Sequence, residues 1–281
     1  MVSADETKKK KGMSGTVRGY MILIGLVVLS WVIFKVLTPG NFGSPANLLS
    51  YFEASLLAAV GAVGFYFVLV MGMFDFSIGA NIMLSAIVGC VFATRFGLGY
   101  AGLIIGSIIT GAIVGLLNGF FYVKLRIPSM IVTTGLALIY ESVANYIAGG
   151  VEQTLPSDLR ALGQMPGNLI LAVFAFVISG AFFGIMAVLT ISYGSSMVAV
   201  TGMASMSRNF VPTMGCFFGV AFKKYGMPLP AIIIGEFVIN IIFFGFIALG
   251  APTAIQDVIT GLALLIVVTM TTKVTKGEIV K

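Results

Sequence analysis

An all-α, polytopic transmembrane bundle is the fold class this sequence predicts, with about eight crossings and one short re-entrant or interfacial segment. Three observations point there. Only 9% of the 281 residues are charged while 59% are hydrophobic, too little charge to cover the surface of a soluble domain. Apolar runs of about 20 residues recur, the length a helix needs to span hydrocarbon. The short alternating segments of a membrane β-barrel are absent, and hydrocarbon offers backbone groups no water, so helices are the remaining solution.

The elements follow in order. Residues 1–19 form a polar, basic tail with Lys8, Lys9, Lys10, Lys11 and Arg18. The first helix is expected over Tyr20–Leu37, closed by Thr38-Pro39-Gly40; no small-residue cleavage site ends it clearly, so it reads as uncleaved. The second lies within Leu48–Phe74 and the third within Ile78–Phe96. The fourth covers Tyr100–Val123, and the fifth Ser129–Ala148, entered through Pro128. Gly149–Gly167 is a polar loop with Pro156 and Pro166. The sixth helix is expected over Asn168–Tyr193. Gly194–Gly226 is mixed, with one short apolar segment, Phe210–Phe222. Two further helices are expected over Leu229–Leu249 and Thr253–Thr271, and 273–281 form a second tail, leaving 20–272 as the membrane domain.

Basic residues orient such a chain, because Lys and Arg stay on the cytosolic side. With the N-terminus inside and eight crossings, thirteen of the 16 Lys and Arg fall inside, and only Lys35, Arg95 and Arg160 fall outside. Both termini are then cytosolic. Phe210–Phe222 must dip into the membrane or lie along it, because a ninth crossing would expel the basic C-terminus. The net charge of +6 sits at membrane edges, which makes the bilayer and not nucleic acid its partner.

No GxxxxGK[ST] loop is present, so ATP is not bound here by that device. Histidine is absent, and neither a Ser–His–Asp set nor a cluster with metal-ligand spacing occurs. Cys90 and Cys216 lie in apolar stretches as inert thiols. An enzyme is not expected, nor a resident cofactor. Glycines at four-residue spacing, Gly111/Gly115/Gly119, Gly180/Gly184 and Gly215/Gly219, fit close helix packing, with a direct pore role as the alternative.

Acids within the spans need a reason. Asp75 reads as an N-cap of the third helix, with solute contact as the alternative; Asp257 reads as a first-turn acid. Glu141 and Glu236 are candidates for a polar pathway, against pairing or snorkelling to the interface. Asn81, Asn118, Asn145 and Asn240 join them as residues that line a path or bond helices together.

Met71-Gly72-Met73-Phe74-Asp75-Phe76-Ser77-Ile78-Gly79, then Gly115-Leu116-Leu117-Asn118-Gly119, then Val123–Ile131 with Lys124-Leu125-Arg126-Ile127-Pro128, Thr133-Thr134-Gly135-Leu136 and Gly149-Gly150 stand in order. With Pro252, Gln256 and Gly261 near the C-terminus, this series resembles the permease subunits of bacterial ABC importers for monosaccharides, the ribose/galactose/arabinose/xylose type. The likeness is good over 41–150 and fair over 227–268. It implies a permease in the cytoplasmic membrane, ATP hydrolysed on a separate ATPase subunit, an extracytoplasmic solute-binding protein, and a second permease, identical or different. In that setting Asp75, Ser77, Gly79, Gly115, Gly119, Arg126, Pro128, Pro252, Gln256 and Gly261 carry the family pattern. The chain departs from it between Gly163 and Gly194, where one helix replaces two crossings and the coupling segment between them. Arg208, Lys223 and Lys224 are then candidates for a substitute ATPase contact. A degenerate, ATP-independent scaffold or regulator is the alternative class, and a permease for a nucleoside, a furanose signal or an amino acid is another.

Overall fold

The computed structural model of the chain describes residues 14–164, 166–167 and 182–252, except positions 39, 41 and 71, together with Val258 and Leu262. Apart from Val258 and Leu262, the expected helix over Thr253–Thr271, with Gln256, Asp257 and Gly261, lies outside the described residues, as do both ends of the chain beyond these bounds.

Eight α-helices are described: α1 Gly15–Leu37, α2 Pro45–Val70, α3 Ile78–Thr94, α4 Gly99–Leu125, α5 Ser129–Ala148, α6 Phe182–Gly194, α7 Phe210–Phe222 and α8 Pro228–Ala248. Two-residue strands β1 (Gln153–Thr154) and β2 (Ser196–Met197) pair antiparallel. Among the described residues five helices, α1, α2, α4, α5 and α8, are long and apolar enough to cross a membrane, while α3 and α6 are shorter. The chain is thus an all-α membrane protein, with a large apolar surface left facing outward by Met21, Ile24, Leu29, Ile109, Leu116 and Ile139 among others.

Local chemistry sets the helix ends. Pro45 opens α2, where its missing N–H costs nothing, and Ser44 Oγ accepts the Asn47 N–H at 3.2 Å. Arg126 turns left-handed (φ 55°) after α4, and Pro128 starts the next helix two residues later. Gly149 and Gly150, at φ 68° and 72°, close α5 by donating to Tyr146 O and Asn145 O, the paired bonds of a glycine stop signal.

The helices alternate between two ends. Thr16 Oγ1 donates to Tyr225 O, and Gly19 lies against Tyr225 and Met227, so α1 and α8 start together. They finish together, with Phe34 packed on Phe246 and Gly245. Tyr51, early in α2, stacks on Phe244, late in α8, so α2 runs the other way. Its far end meets the start of α5, where the Phe74 N–H donates to Ser129 Oγ at 3.0 Å. One end of the bundle therefore carries Arg18, Lys124, Arg126, Lys223 and Lys224, all exposed. The opposite end carries Lys35, Arg95 and Arg160 with the acids Glu152 and Asp158.

The central core is α3, buried along almost its whole length, with the middle of α2 and the inner faces of α5 and α6. Small residues let these helices close up. Gly111 of α4 and Gly184 of α6 meet backbone to backbone, a Cβ on Gly111 falling 2.8 Å from Gly184 N. Gly219 lies against Ile232 of α8. Gly115 and Gly119 have nothing within 4 Å of a would-be Cβ, so the packing expected of them does not form among the described residues; Gly180 lies outside the described residues.

The path of Gly194–Gly226 corrects the expectation of a segment that stays on the cytosolic side. Strand β2 pairs with β1 just after α5, Leu155 N–H donates to Ser195 O at 2.9 Å, and Gly163 lies against the Ser192–Tyr193 backbone. The end of α6 therefore sits at the same end of the bundle as the loop after α5, not at the opposite one as a single crossing over Asn168–Tyr193 requires. From there the chain runs inward through the 3-10 turns at Ala204–Asn209 and along α7 to Tyr225, beside the start of α1. It traverses the bundle as a broken crossing. Nor does α7 lie along the interface: Pro212, Thr213, Met214, Gly215, Cys216 and Gly219 are buried. What changes is where the crossing lies: it is made by the broken segment ahead of and along α7, and not by the apolar run that ends at Tyr193.

Candidate functional site

Two breaks in helical structure meet inside the bundle: Gly72–Ser77 between α2 and α3, and Val198–Asn209 ahead of α7. Each exposes backbone groups that need partners where no water is at hand. The polar side chains of the interior supply them.

Asp75 sits in the first break and is 8% exposed. Its Oδ1 accepts the Ser77 N–H and Ser77 Oγ–H, both at 2.7 Å, closing a side-chain turn just ahead of α3. The cap residue of α3 is Ser77 and not Asp75, so the capping expected of Asp75 is corrected to this turn two residues earlier. Asp75 Oδ2 accepts an amide N–H of Asn118 on α4 at 3.1 Å, and Asn118 also donates to Ser77 Oγ at 2.6 Å. The Tyr140 hydroxyl on α5 donates to Asn118 Oδ1 at 2.9 Å. Thr133 Oγ1, one turn on from Ser129, accepts the Phe76 N–H at 3.0 Å.

The second break is tied to the same place. Asn209 donates to Phe76 O at 2.7 Å and accepts the Gly79 N–H. A Cβ on Gly79 would collide with Ser205 O, so Gly79 is where the two breaks touch. Glu141, fully buried, accepts the Met203 N–H at 2.7 Å and the Ser205 N–H at 2.9 Å. Gly202 and Met203 are both left-handed (φ 71° and 67°), a turn that brings the N–H groups of Met203 and Ser205 to the carboxylate.

Of the six residues expected to line a path, Asn118 joins this knot through side-chain bonds and Glu141 through bonds to backbone N–H groups. Asn81 is buried within α3, accepting from Ser85 Oγ at 3.0 Å. Asn145 is half-buried near the end of α5. Glu236 and Asn240 lie apart on α8: Asn240 donates to Glu236 O at 2.9 Å, while both Glu236 carboxyl oxygens are buried without a partner among the described residues. Gly215 of α7 leaves the room that this carboxyl occupies. Arg126 and Pro128 form the α4–α5 turn, and Pro252 is exposed beyond α8. Arg208 lies within the broken crossing, with its guanidinium against Met197; it does not share a surface with Lys223 and Lys224, so the three do not form one contact patch. Tyr140, Ser129, Thr133 and Asn209 were not expected here. The i, i+4 spacing of Ser129 and Thr133 and the position of Asn209 just ahead of an apolar segment are the signals that mark them. Among the described residues no cluster of acids and thiols is placed to hold a metal ion.

Residues 47–158, which span α2 to α5 and hold Asp75, Asn118, Tyr140 and Glu141, match the family described as branched-chain amino acid transport system / permease component. The fructose import permease protein FrcC of Rhizobium meliloti is 29% identical over 137 residues, 48% of this chain and 38% of that one. The L-arabinose ABC transporter permease protein AraH of Azospirillum brasilense is 26% identical over 183 residues, 63% of this chain and 53% of its own. The xylose transport system permease protein XylH of Escherichia coli K12 is 24% identical over 157 residues, 56% of this chain and 39% of its own. The chain spans about half or less of the length of these relatives. No solved structure matches it. The chain therefore resembles permease subunits of bacterial sugar ABC importers, and its match to the permease family covers the stretch that holds Asp75, Asn118, Tyr140 and Glu141.

Proposed function

We propose that this chain is a membrane-spanning permease subunit of an ABC importer in the bacterial cytoplasmic membrane, moving a small polar solute of the monosaccharide class. The observation that carries this reading is that residues 47–158, the stretch that matches the permease family, supply Asp75, Asn118, Thr133, Tyr140 and Glu141 to the ties that hold the two breaks in place. Broken crossings are tolerated at membrane depth only where protein or a water-filled path satisfies the backbone, and many transporters build their solute and ion sites from them. Here the α3 break and the α7 break are latched to each other through Asn209, and to α4 and α5 through Asn118 and Glu141.

In this reading ATP is hydrolysed on a separate ATPase subunit docked at the basic end. Lys223 and Lys224 are offered there beside Lys124, Arg126 and Arg18. Both chain termini, with tails 1–19 and 273–281, lie on that cytosolic side, because basic residues are retained there. A solute-binding protein delivers cargo at the opposite end, and a second permease, identical or different, completes the path. A neutral sugar sheds its water at modest cost against apolar walls with few polar groups.

Purification of the tagged chain from its native cell in mild detergent tests the assembly, and uptake of labelled xylose, arabinose and fructose by cells with and without the gene tests the cargo. Recovery of an ATPase together with gene-dependent uptake of one sugar is expected. Recovery of the chain alone, with uptake unchanged, overturns the reading.

A further inference from the structure

The exposed side of α4 carries a groove of about 810 Å³ lined by Gly115, Leu116, Gly119, Phe120, Val123, Lys124 and Arg126. Among the described residues nothing fills it. Positions 115 and 119 have no neighbour within 4 Å of a would-be Cβ, while Leu116, Phe120 and Val123 are 72%, 57% and 71% exposed. The groove thus has a glycine floor, apolar and aromatic walls, and two exposed cations at one end only. From Gly115 to Arg126 it runs about 16 Å along the helix, close to half of the roughly 30 Å hydrocarbon core and so to the depth of one leaflet.

We infer that this groove binds one anionic phospholipid of the leaflet at the basic end, an acyl chain lying along Gly115 and Gly119 and the headgroup phosphate held by Lys124 and Arg126. The charges favour a lipid over a second copy of the chain. A two-fold copy seated on this face brings its own Lys124 and Arg126 to the same depth, setting cations against cations, whereas an anionic headgroup neutralises both. Basic residues near a membrane surface favour anionic lipid, and Arg126, turned left-handed just past the last residue of α4, closes the basic end of the groove, where the headgroup is to be held. The inference does not depend on the solute or on transport.

The test uses the full purified chain in detergent, with dioleoyl phosphatidylglycerol or dioleoyl phosphatidylcholine added. Bound lipid is read by native mass spectrometry and thermal stability by unfolding. Phosphatidylglycerol is expected to be retained and to raise the unfolding temperature, and phosphatidylcholine to do neither. Lys124→Gln with Arg126→Gln is expected to weaken phosphatidylglycerol retention roughly tenfold or more. Gly119→Leu, which fills the floor at a lipid-facing position, is expected to abolish retention while the protein stays monodisperse; if it does not, the charge variant decides alone. Equal retention of both lipids, or retention unchanged in the charge variant, overturns the inference. So does conversion of a wild-type dimer to a monomer by Gly119→Leu with lipid retention intact, which makes the groove a chain–chain interface.

Discussion

Glu141 accepts the backbone N–H of Ser205 at 2.9 Å, joining the middle of α5 to the break ahead of α7 across 64 residues of sequence. Its other oxygen takes the Met203 N–H. One buried side chain thus satisfies two backbone donors that no helix or sheet provides for. Removing it in Glu141→Ala leaves both donors buried and bare, at about 1–3 kcal/mol each. Glu141→Gln keeps one carbonyl acceptor and is expected to lose about half as much. Unfolding in detergent should rank wild type above Glu141→Gln and that above Glu141→Ala; equal stability of all three removes the tie from the account.

Asn118 ties Asp75 and Ser77 to Tyr140. Asn118→Ala removes a donor from Asp75 Oδ2 and from Ser77 Oγ and the acceptor of the Tyr140 hydroxyl together, so about 2–4 kcal/mol is expected to be lost. Asn118→Asp removes the donor and sets a second carboxylate against Asp75, and is expected to be worse than Asn118→Ala. Tyr140→Phe alone should cost about 1 kcal/mol. In a double-mutant cycle, Tyr140→Phe and Asn118→Ala should show a coupling of about 0.5–2 kcal/mol; strict additivity contradicts the shared bond.

Much of this architecture is legible in the sequence, and the part that is not has a common cause. Ser129–Ala148 and Phe210–Phe222 read off as apolar runs bounded by Pro128, by Gly149-Gly150 and by polar flanks, and both helices form over those residues. Asp75 and Asn118 stand out because polar groups in apolar surroundings are rare. Their meeting does not, since it depends on how α3 and α4 pack. Tyr140 is hidden in an apolar run, where an aromatic ring reads as core. The side on which Gly194 lies is decided by two short strands paired between residues 153–154 and 196–197, a contact too small to leave a pattern. Counting apolar runs assigns each a full crossing, and a crossing made of extended chain, 3-10 turns and a half-length helix escapes that count.

Close glycine contacts make a third prediction. A Cβ at Gly184 would fall 2.6 Å from Ile108 Cα, whereas one at Gly25 has nothing within 4 Å. Backbone atoms of α4 cannot yield as a flexible side-chain tip does, so Gly184→Val is expected to separate α4 from α6 and cost about 1–3 kcal/mol or more. Gly25→Val, on the lipid side of α1, should leave folding within about 0.5 kcal/mol of wild type. Monodispersity after detergent extraction, followed by thermal unfolding, distinguishes them.

The broken crossing makes the most discriminating prediction, because it fixes which loops share a side of the membrane. Ser157 follows α5 and Ser195 follows α6, at the end where β1 and β2 pair; Lys224 follows α7, beside the start of α1 and Arg18. The two native thiols, Cys90 and Cys216, are buried and are replaced by Ala and Ser before labelling. Single cysteines at Ser157 and Ser195 are expected to react with a membrane-impermeant maleimide from the same side. Those at Lys224 and Arg18 should react only from the other side, after the membrane is opened or inverted. A segment that enters and leaves on one side instead places Ser195 with Lys224, and labelling of those two together, apart from Ser157, restores that topology and removes the crossing. Thirty residues separate Ser195 from Gly226, more than enough at about 3.3 Å per extended residue and 1.5 Å per helical one to traverse a roughly 30 Å core, so the length itself imposes no objection to the path the hydrogen bonds describe.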